Sequence, residues 1–499
     1  MKERAFICQI SEEDWKISRS IGVYGNREGS ERGGSVRYFE DDSQTVQSII
    51  EDLIGMRKGD LVFFHVIREE GESSIHGVYR VREEPFYSTQ NVGWRSKTFV
   101  YPYRFCFEPH PDYEVLCKYD AHIPVSLFYA SIEVGTIRSI LTLEREEYGP
   151  AHAVKTVTRE DAKEIIKLLC REFPKRRLEQ PITFNPLQIT NKTPLRDRIK
   201  GVGRLEFSVK AVIAYKLGQG DPNLTQLIPA CRTNNYDFLI QSYIGQTIRR
   251  PADFICIGYE NSKKIVSITE VKKDRAIFDD LVQLLRYQEI FRMRNVGRDL
   301  TSYEFSPCLV AQRFQNELVN YCSLRNLFIP WEKIVLIKYE PLLNGTDATF
   351  KVQDLSRPVV STFIYYPLTK KEINISKIRS NPQEFYFTLK EGLTGEVDVE
   401  ISLDEGNVIL LEKYYRVDGS TLGRVLIYIC HGKCDVEEFA KFMKRLYEEA
   451  EKAKEKFMAI EPVLISNDYN SLVISFINLY NRYEAQALRQ PIVALALAS

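Results

Sequence analysis

The residues best equipped for chemistry are Asp253 and the triplet Glu270-Val271-Lys272. The runs Phe254-Ile-Cys-Ile-Gly and Lys264-Ile-Val-Ser-Ile-Thr read as two strands split by the turn Tyr259-Glu-Asn-Ser. Asp253 opens the first strand and the Glu-x-Lys triplet closes the second, so a hairpin brings the two ends together. Residues two apart on a strand share a face, which places Glu270 and Lys272 side by side and turns Val271 to the opposite layer. Two carboxylates converging at a strand end offer hard oxygen donors to Mg²⁺ or Mn²⁺. An ammonium beside them can orient a water or stabilise the charge growing on a phosphate. This is the equipment of metal-assisted phosphodiester hydrolysis. The bland alternative is a strand-end ion pair between Glu270 and Lys272 that contributes little. A second D-x-K triplet, Asp161-Ala-Lys163, sits in a predicted helix and shows how often the spacing arises alone.

Around these residues the chain alternates helical and strand patterns from 200 to 345. Phe207, Val209, Val212, Ile213 and Leu217 mark one buried helix face. After the hairpin come a helix from Ile277 to Arg294, the strand Cys308-Leu-Val-Ala, another helix and the strand Ile334-Val-Leu-Ile. The order predicts a central α/β domain with a mixed sheet. Residues 1–155 read as a mostly β domain, with strands Gly59-Asp-Leu-Val-Phe-Phe-His-Val-Ile, Ile75-His-Gly-Val-Tyr-Arg-Val and Phe99-Val-Tyr-Pro-Tyr-Arg-Phe-Cys-Phe. Thr45–Gly55 reads as a helix, and Tyr24 to Gly34 as a flexible loop. Residues 156–199 read as a helix with Thr158 at its N-cap followed by a basic linker. Between Arg171 and Lys200 there are eight Lys/Arg against three Asp/Glu, so the stretch is either a solvated linker or a phosphate-tracking surface. Residues 346–499 read as a separate α+β domain, with strands at Val359–Tyr366, Glu396–Ser402, Val408–Tyr415 and Arg424–Cys430 and a long helix from Val436 to Phe457.

The 499 residues are 44% apolar and 27% charged, which excludes collagenous, coiled-coil and disordered classes. Lys plus Arg equals Asp plus Glu at 68 each, so any contact with nucleic acid must come from local basic patches. Ten scattered cysteines suit reduced thiols better than a disulfide frame. The opening MKERAFICQI lacks the apolar core of a signal peptide, and no stretch has the length of a membrane span. The expectation is a cytoplasmic chain with no membrane partner.

With Asp253, Glu270-Val-Lys272 and Gln283-Leu-Leu-Arg-Tyr287 on the next helix, residues 204–339 resemble the PD-(D/E)XK nuclease superfamily, and within it the NucS/EndoMS or DUF91-like branch. The resemblance implies a restriction-endonuclease-like fold. It makes Asp253 and Glu270 the metal ligands and Lys272 the catalytic lysine. Gln283 and Tyr287 would flank the site, and Glu206 would be the acid of the leading helix. The departure is at Asp253, which follows Pro251-Ala where that branch often carries Gly-Arg. Upstream, Lys58-Gly-Asp-Leu-Val-Phe-Phe and Ile75-His-Gly-Val-Tyr-Arg-Val resemble the EVE branch of the PUA/YTH-like barrels. That implies a β-barrel holding a flipped, often methylated base among aromatic rings, with Trp15, Tyr24, Tyr87 and Trp94 as base-binding candidates and Phe64 as a core residue. Arg95, Lys97, Lys175, Arg176 and Arg177 are candidates for phosphate contacts.

The resulting expectation is a Mg²⁺- or Mn²⁺-dependent endonuclease cutting DNA that carries a modified base. The alternatives are a repair nuclease for mismatches, flaps or branches, and a nucleic-acid-binding protein whose nuclease fold has lost turnover. Cutting both strands with one site per chain would call for a homodimer. Cys430-His-Gly-Lys-Cys434 lacks a fourth zinc ligand and reads as a strand end with a helix-entry turn. The six histidines show no pairing with Ser or Cys that spacing supports. The Gly-rich stretch at 25–34 lacks the Gly-Lys-Ser/Thr of a phosphate-binding loop.

Overall fold

A computed structural model describes residues 3–32, 35–94, 100–138, 153–242, 251–260, 263–294, 303–356, 369–371, 375–381, 383–384, 397–415, 421–454, 459–484 and 491–497. The expected strand at Val359–Tyr366 lies outside them. The chain is mixed α/β and builds two compact units. The first comprises Met1–Arg275, Cys308–Arg313 and Val335–Val352; the second comprises Ala276–Pro307, Phe314–Ile334 and Gln353–Ser499.

The first unit begins with β1 (Ala5–Ser11), α1 (Glu12–Ile21), β2 (Val23–Asn26) and α2 (Gln44–Ile54). There follow β3 (Leu61–Ile67), β4 (Ser74–Tyr87), β5 (Tyr103–Pro109), β6 (His122–Pro124), β7 (Val154–Val157), α3 (Arg159–Glu172) and β8 (Thr193–Pro194). Helix starts follow local chemistry: Ser11, Ser43 and Thr158 each accept a backbone N–H at the N-cap. The sheet runs β2-β5-β4-β3-β1-β7, with β6 and β8 also paired to β4. The expected barrel is not formed by the described strands, whose pairings make an open path. At one end β7 turns to a different neighbour: the Ile240 N–H donates to Thr156 Oγ1 at 2.7 Å. The stretch expected to be a loop is also partly strand. Val23–Asn26 joins this sheet, and Gly29–Arg32 pairs antiparallel with Ser35–Tyr38. This pairing rests on backbone bonds and needs no apolar side chains.

The rest of the first unit is α4 (Glu206–Gln219) and the strands β9 (Tyr236–Ser242), β10 (Ala252–Glu260), β11 (Lys263–Val271), β12 (Cys308–Ala311), β13 (Val335–Pro341) and β14 (Ala348–Val352). They run in the order β9 through β14, with β11, β12 and β13 parallel and the other pairs antiparallel, a mixed sheet as the alternating pattern predicts. One hydrophobic core serves both sheets: Ile50, Leu53 and Ile54 of α2 and Val209, Val212 and Ile213 of α4 belong to the same cluster as Phe64 and Phe254. The two helices approach closely where each segment carries a glycine. A Cβ on Gly218 would meet the Gly55 carbonyl oxygen at 2.4 Å. Helix α4 is buried nearly all round, the pattern of a helix packed on several sides.

The segment read as a basic linker straps the first sheet. Leu178 and Ile182 donate backbone N–H bonds to Tyr119 and Lys118, and Asn185 and Leu187 to Ser20 and Ile21. Its cations are partly spent on the protein itself: Lys192 pairs with Glu83, Arg196 with Asp347 and Arg198 with Asp41.

His65 on β3 is 1% exposed, and neither ring nitrogen has a partner among the described residues. Burial, helped by the charge of His76, pulls its pKa from 6.5 down to about 4. The native state therefore keeps the ring neutral while the unfolded chain takes up a proton as the pH falls below 6.5. Stability from this site is complete above the unfolded value and is lost as pH drops towards the folded one, by about 3 kcal/mol in all. Thermal unfolding at pH 7.5 and 5, values chosen on about either side of the ordinary His range, checks this. His65→Phe should lose less stability on acidification than the parent; equal losses would contradict the assignment.

The second unit contains α5 (Phe278–Arg294), α6 (Asn316–Phe328), α7 (Val436–Lys454) and α8 (Ser471–Leu479). Its strands are β15 (Thr369–Lys371), β16 (Val397–Glu405), β17 (Val408–Tyr415), β18 (Thr421–Ile429), β19 (Ala459–Ser466) and β20 (Val493–Leu497), ordered β15-β20-β19-β18-β17-β16. Cys430 follows β18 and Cys434 lies in a short bridge before α7, matching the strand-end reading. No described helix is long and apolar enough to cross a membrane.

Candidate functional site

The hairpin of β10 and β11 pairs Phe254 with Thr269, so one step further along the ladder Asp253 stands opposite Glu270. Both residues are 4% exposed. The Asp253 carboxylate is fixed at both oxygens: Oδ2 accepts the Val271 N–H at 2.7 Å, and Oδ1 lies 2.6 Å from Lys210 Nζ. Lys272 Nζ donates to Glu270 Oε1 at 2.8 Å. The Lys272 N–H donates to the Val310 carbonyl at 2.8 Å, and Tyr339 Oη donates to the Lys273 carbonyl, which anchors the chain leaving β11.

The leading helix delivers two groups. Glu206 lies in its first turn, and Lys210 stands one turn later on the same face. Lys210 Nζ is 2.8 Å from Glu206 Oε1, so a single ammonium bridges Glu206 and Asp253. Burial works against that ammonium, but Asp253, Glu51 and Glu206 outweigh it and hold its pKa above the ordinary value. Burial raises the pKa of Asp253, with Lys210 pulling the other way. Glu270 is pushed up to about 8 by burial and by the neighbouring Asp253 charge. Perturbed carboxylates of this kind concentrate at functional sites.

A fourth acid comes from the other sheet's helix. Glu51 on α2 is fully buried; its Oε1 accepts from Gln241 Nε2 at 3.2 Å, while Oε2 has no partner among the described residues. Burial raises its pKa well above the ordinary range, and Lys210 is the cation that most opposes the rise. Gln241 holds this acid from a backbone with φ of 47°, a strained conformation for a non-glycine residue. Sequence reading missed Lys210, Glu51 and Gln241. The signals were an i, i+4 Glu-Lys pair on a predicted helix and an acid inside the apolar run Ile49-Ile-Glu-Asp-Leu-Ile.

Gln283 and Tyr287 lie on α5 in the second unit, where Gln283 Nε2 donates to Tyr287 Oη at 2.6 Å.

The donor set suits a hard divalent cation, since carboxylate oxygens are its preferred ligands. In the arrangement seen, ammonium groups sit against these carboxylates. Among the described residues no group of three or more His, Cys, Asp or Glu is assembled to hold a metal. Asp253 and Glu270 can serve as ligands once Lys210 and Lys272 release them.

The aromatic candidates divide. Trp15 and Tyr24 are core residues, each 1% exposed. Trp15 packs on Phe64 at 4.6 Å between centroids, and Tyr24 Oη lies 3.0 Å from Asn26 Oδ1. Phe64 is buried as the sequence reading expects. Tyr87 and Trp94 are half-buried. Tyr87 carries the Arg198 guanidinium 4.2 Å above its ring. Trp94 Nε1 donates to Ser18 Oγ at 2.9 Å, and its ring lies so close to Gly25 that a Cβ there would meet it at 2.8 Å. Above Trp94, at 5.1 Å, is Arg104, a residue absent from the sequence reading. Arg104 has no exposed surface, its Nε donates to the Tyr101 carbonyl, and both terminal amino groups are without partners among the described residues. Of the phosphate candidates, Arg176 pairs with Glu172 at 3.6 Å, Arg177 stacks on Phe173 and Tyr119, and Lys175 is exposed. Arg95 and Lys97 lie outside the described residues.

One histidine arrangement corrects the sequence reading. Ser74 Oγ lies 2.8 Å from His76 Nε2, and His76 Nδ1 lies 2.8 Å from Asp120 Oδ1. Ser74 and His76 share a face of β4, and Asp120 arrives from 44 residues away, so spacing alone did not join them. The geometry is that of a serine-hydrolase triad, yet Ser74 is 2% exposed, and Asp120 also binds Arg19 and Trp15 Nε1. The group braces α1 against the sheet.

No family profile and no protein of established function matches the chain.

Proposed function

We propose that the chain is a metal-dependent endonuclease acting on DNA, with Asp253, Glu270 and Lys272 as its hydrolytic centre. The observation that carries this reading is the meeting of Asp253 and Glu270 across adjacent strands, with Lys272 held on Glu270 at 2.8 Å. Asp253 and Glu270 would hold Mg²⁺ or Mn²⁺, which when bound polarises a phosphate and acidifies a water. The Val271 N–H keeps the Asp253 carboxylate in place while its other oxygen changes partner. Lys272, released from Glu270, turns its ammonium to the scissile phosphate and stabilises the charge that develops there. Glu206, in the first turn of α4 and paired with Lys210, would hold a water or serve as a further ligand.

The first sheet serves as the reader of the DNA, in the manner of a PUA/EVE-like module. Arg104 supports this: two buried guanidinium donors left unpartnered beside Trp94 are costly. A base with two adjacent acceptors would satisfy them as Arg does at guanine. The reading as a binder without turnover draws on a different observation, the ammonium groups placed against both carboxylates.

The test is incubation of the full chain and Mn²⁺ with duplexes of one sequence that are unmodified, methylated, mismatched or branched. Cleavage preferring the methylated duplex is the expected result. Preference for mismatched or branched DNA would move the reading to repair. Tight, salt-sensitive binding with every substrate intact would establish the binder instead.

A further inference from the structure

Lys210 does not belong to the Asp and Glu-x-Lys group, yet it is as enclosed as the Asp253 carboxylate it touches. Its side chain is 5% exposed, and it touches Asp253 and Glu206 at 2.6 and 2.8 Å. A lysine held between two carboxylates occupies the position of a bound cation and supplies the charge that would otherwise be missing. Removing it to admit a metal would strand a buried ammonium, which is prohibitively unfavourable without a new acceptor. Glu51 on α2 is the candidate for that acceptor. Glu51 Oε2 is fully buried and has no partner among the described residues, while Oε1 is tied to Gln241. An orphaned carboxyl oxygen in a core is costly until a donor comes to it, and an ammonium arriving there would favour its ionised form. Among cations, Lys210 exerts the largest pull on Glu51, and Glu51 ranks second only to Asp253 among the acids acting on Lys210.

We infer that Lys210 is a resident cation of the site, and that a divalent metal binding Asp253 displaces its ammonium onto Glu51. This rests on the proposed metal-binding role of Asp253. It adds a switch: Lys210 in one position keeps the carboxylates neutralised, and in the other it leaves them to the metal. Glu51 sits on α2, whose packing against α4 is set by the Gly55–Gly218 approach.

The test measures Mn²⁺ binding to the full chain without DNA, by the loss of the free-ion electron paramagnetic resonance signal. Lys210→Met removes the competing ammonium and should tighten binding by about tenfold or more. Lys210→Gln, which keeps a donor for Asp253, should tighten it in the same direction and decides the matter if Lys210→Met does not fold. Glu51→Gln should weaken binding by about fivefold in the parent chain and leave it unchanged when Lys210 is already replaced. Equal weakening in both backgrounds would make Glu51 a direct ligand and overturn the switch. So would Lys210 variants that bind no tighter than the parent, or a complete absence of Mn²⁺ binding. A parent that cuts DNA while the Lys210 variants show no tightening would sink the switch and leave the nuclease standing. Tightening as described, with no cleavage by any form, would do the reverse.

Discussion

Lys272→Ala should bind DNA as the parent does and cut it about 10²–10³-fold more slowly, the usual loss on removing one preorganised charge from a developing oxyanion. The argument is electrostatic. Lys272 follows directly after β11, its backbone tied to β12 through the Val310 carbonyl, so its position does not depend on the side chain. The side chain is 22% exposed and rests on Glu270 at 2.8 Å. Truncation removes the ammonium while leaving the hairpin intact. Glu270 would then lose the contact that opposes its raised pKa, and its carboxyl would be protonated over a wider pH range. Single-turnover cleavage and equilibrium binding, measured on the same preparation, check both halves. A rate within about tenfold of the parent, smaller than one removed donor costs, would remove Lys272 from the mechanism.

Glu332→Ala should destabilise the second unit by about 3–5 kcal/mol, the loss on removing one partner from a buried ion-pair network. Glu332 is 4% exposed and lies between two arginines. Arg292 pairs with its Oε1, and Arg325 Nη2 lies 3.4 Å from its Oε2. Gln288 Nε2 also donates to Oε2 at 3.1 Å. Arg325 would keep the Glu332 main-chain carbonyl, and Arg292 would keep Glu289 at 3.1 Å. Neither contact replaces the lost carboxylate between the guanidiniums. Chemical unfolding should show the transition of this unit at a markedly lower denaturant concentration. A shift worth less than about 1 kcal/mol, the level of an exposed pair, would show that the network is solvated.

What the sequence made legible follows from what is local. Alternation and the Tyr259–Ser262 turn predicted the β10–β11 hairpin, and the pairing of Phe254 with Thr269 carries Asp253 to Glu270. Helix starts at Thr158 and near Thr45, and the Val408–Tyr415 strand, were likewise written in a few neighbouring residues. The charge arrangement around Asp253 was only half visible. Lys210 could be paired with Glu206 by spacing, but its second partner comes from another element, and Glu51 meets Gln241 from 190 residues away. Aromatic residues posed the reverse difficulty. Trp15 and Trp94 have the same side chain, and only tertiary packing makes one a core residue and leaves the other half-buried beside Arg104. The expected barrel is not closed among the described residues, and β7 makes a further contact with β9, a strand of the next sheet. Nothing in residues 1–155 alone specifies that neighbour.

The most direct measurement compares the parent with Asp253→Ala in plasmid cleavage with Mn²⁺, alongside binding of the same DNA. The account predicts that the parent cuts, that chelation of the metal stops it, and that Asp253→Ala binds the DNA but leaves it intact. Cleavage by Asp253→Ala at the parent rate would place the chemistry elsewhere in the molecule.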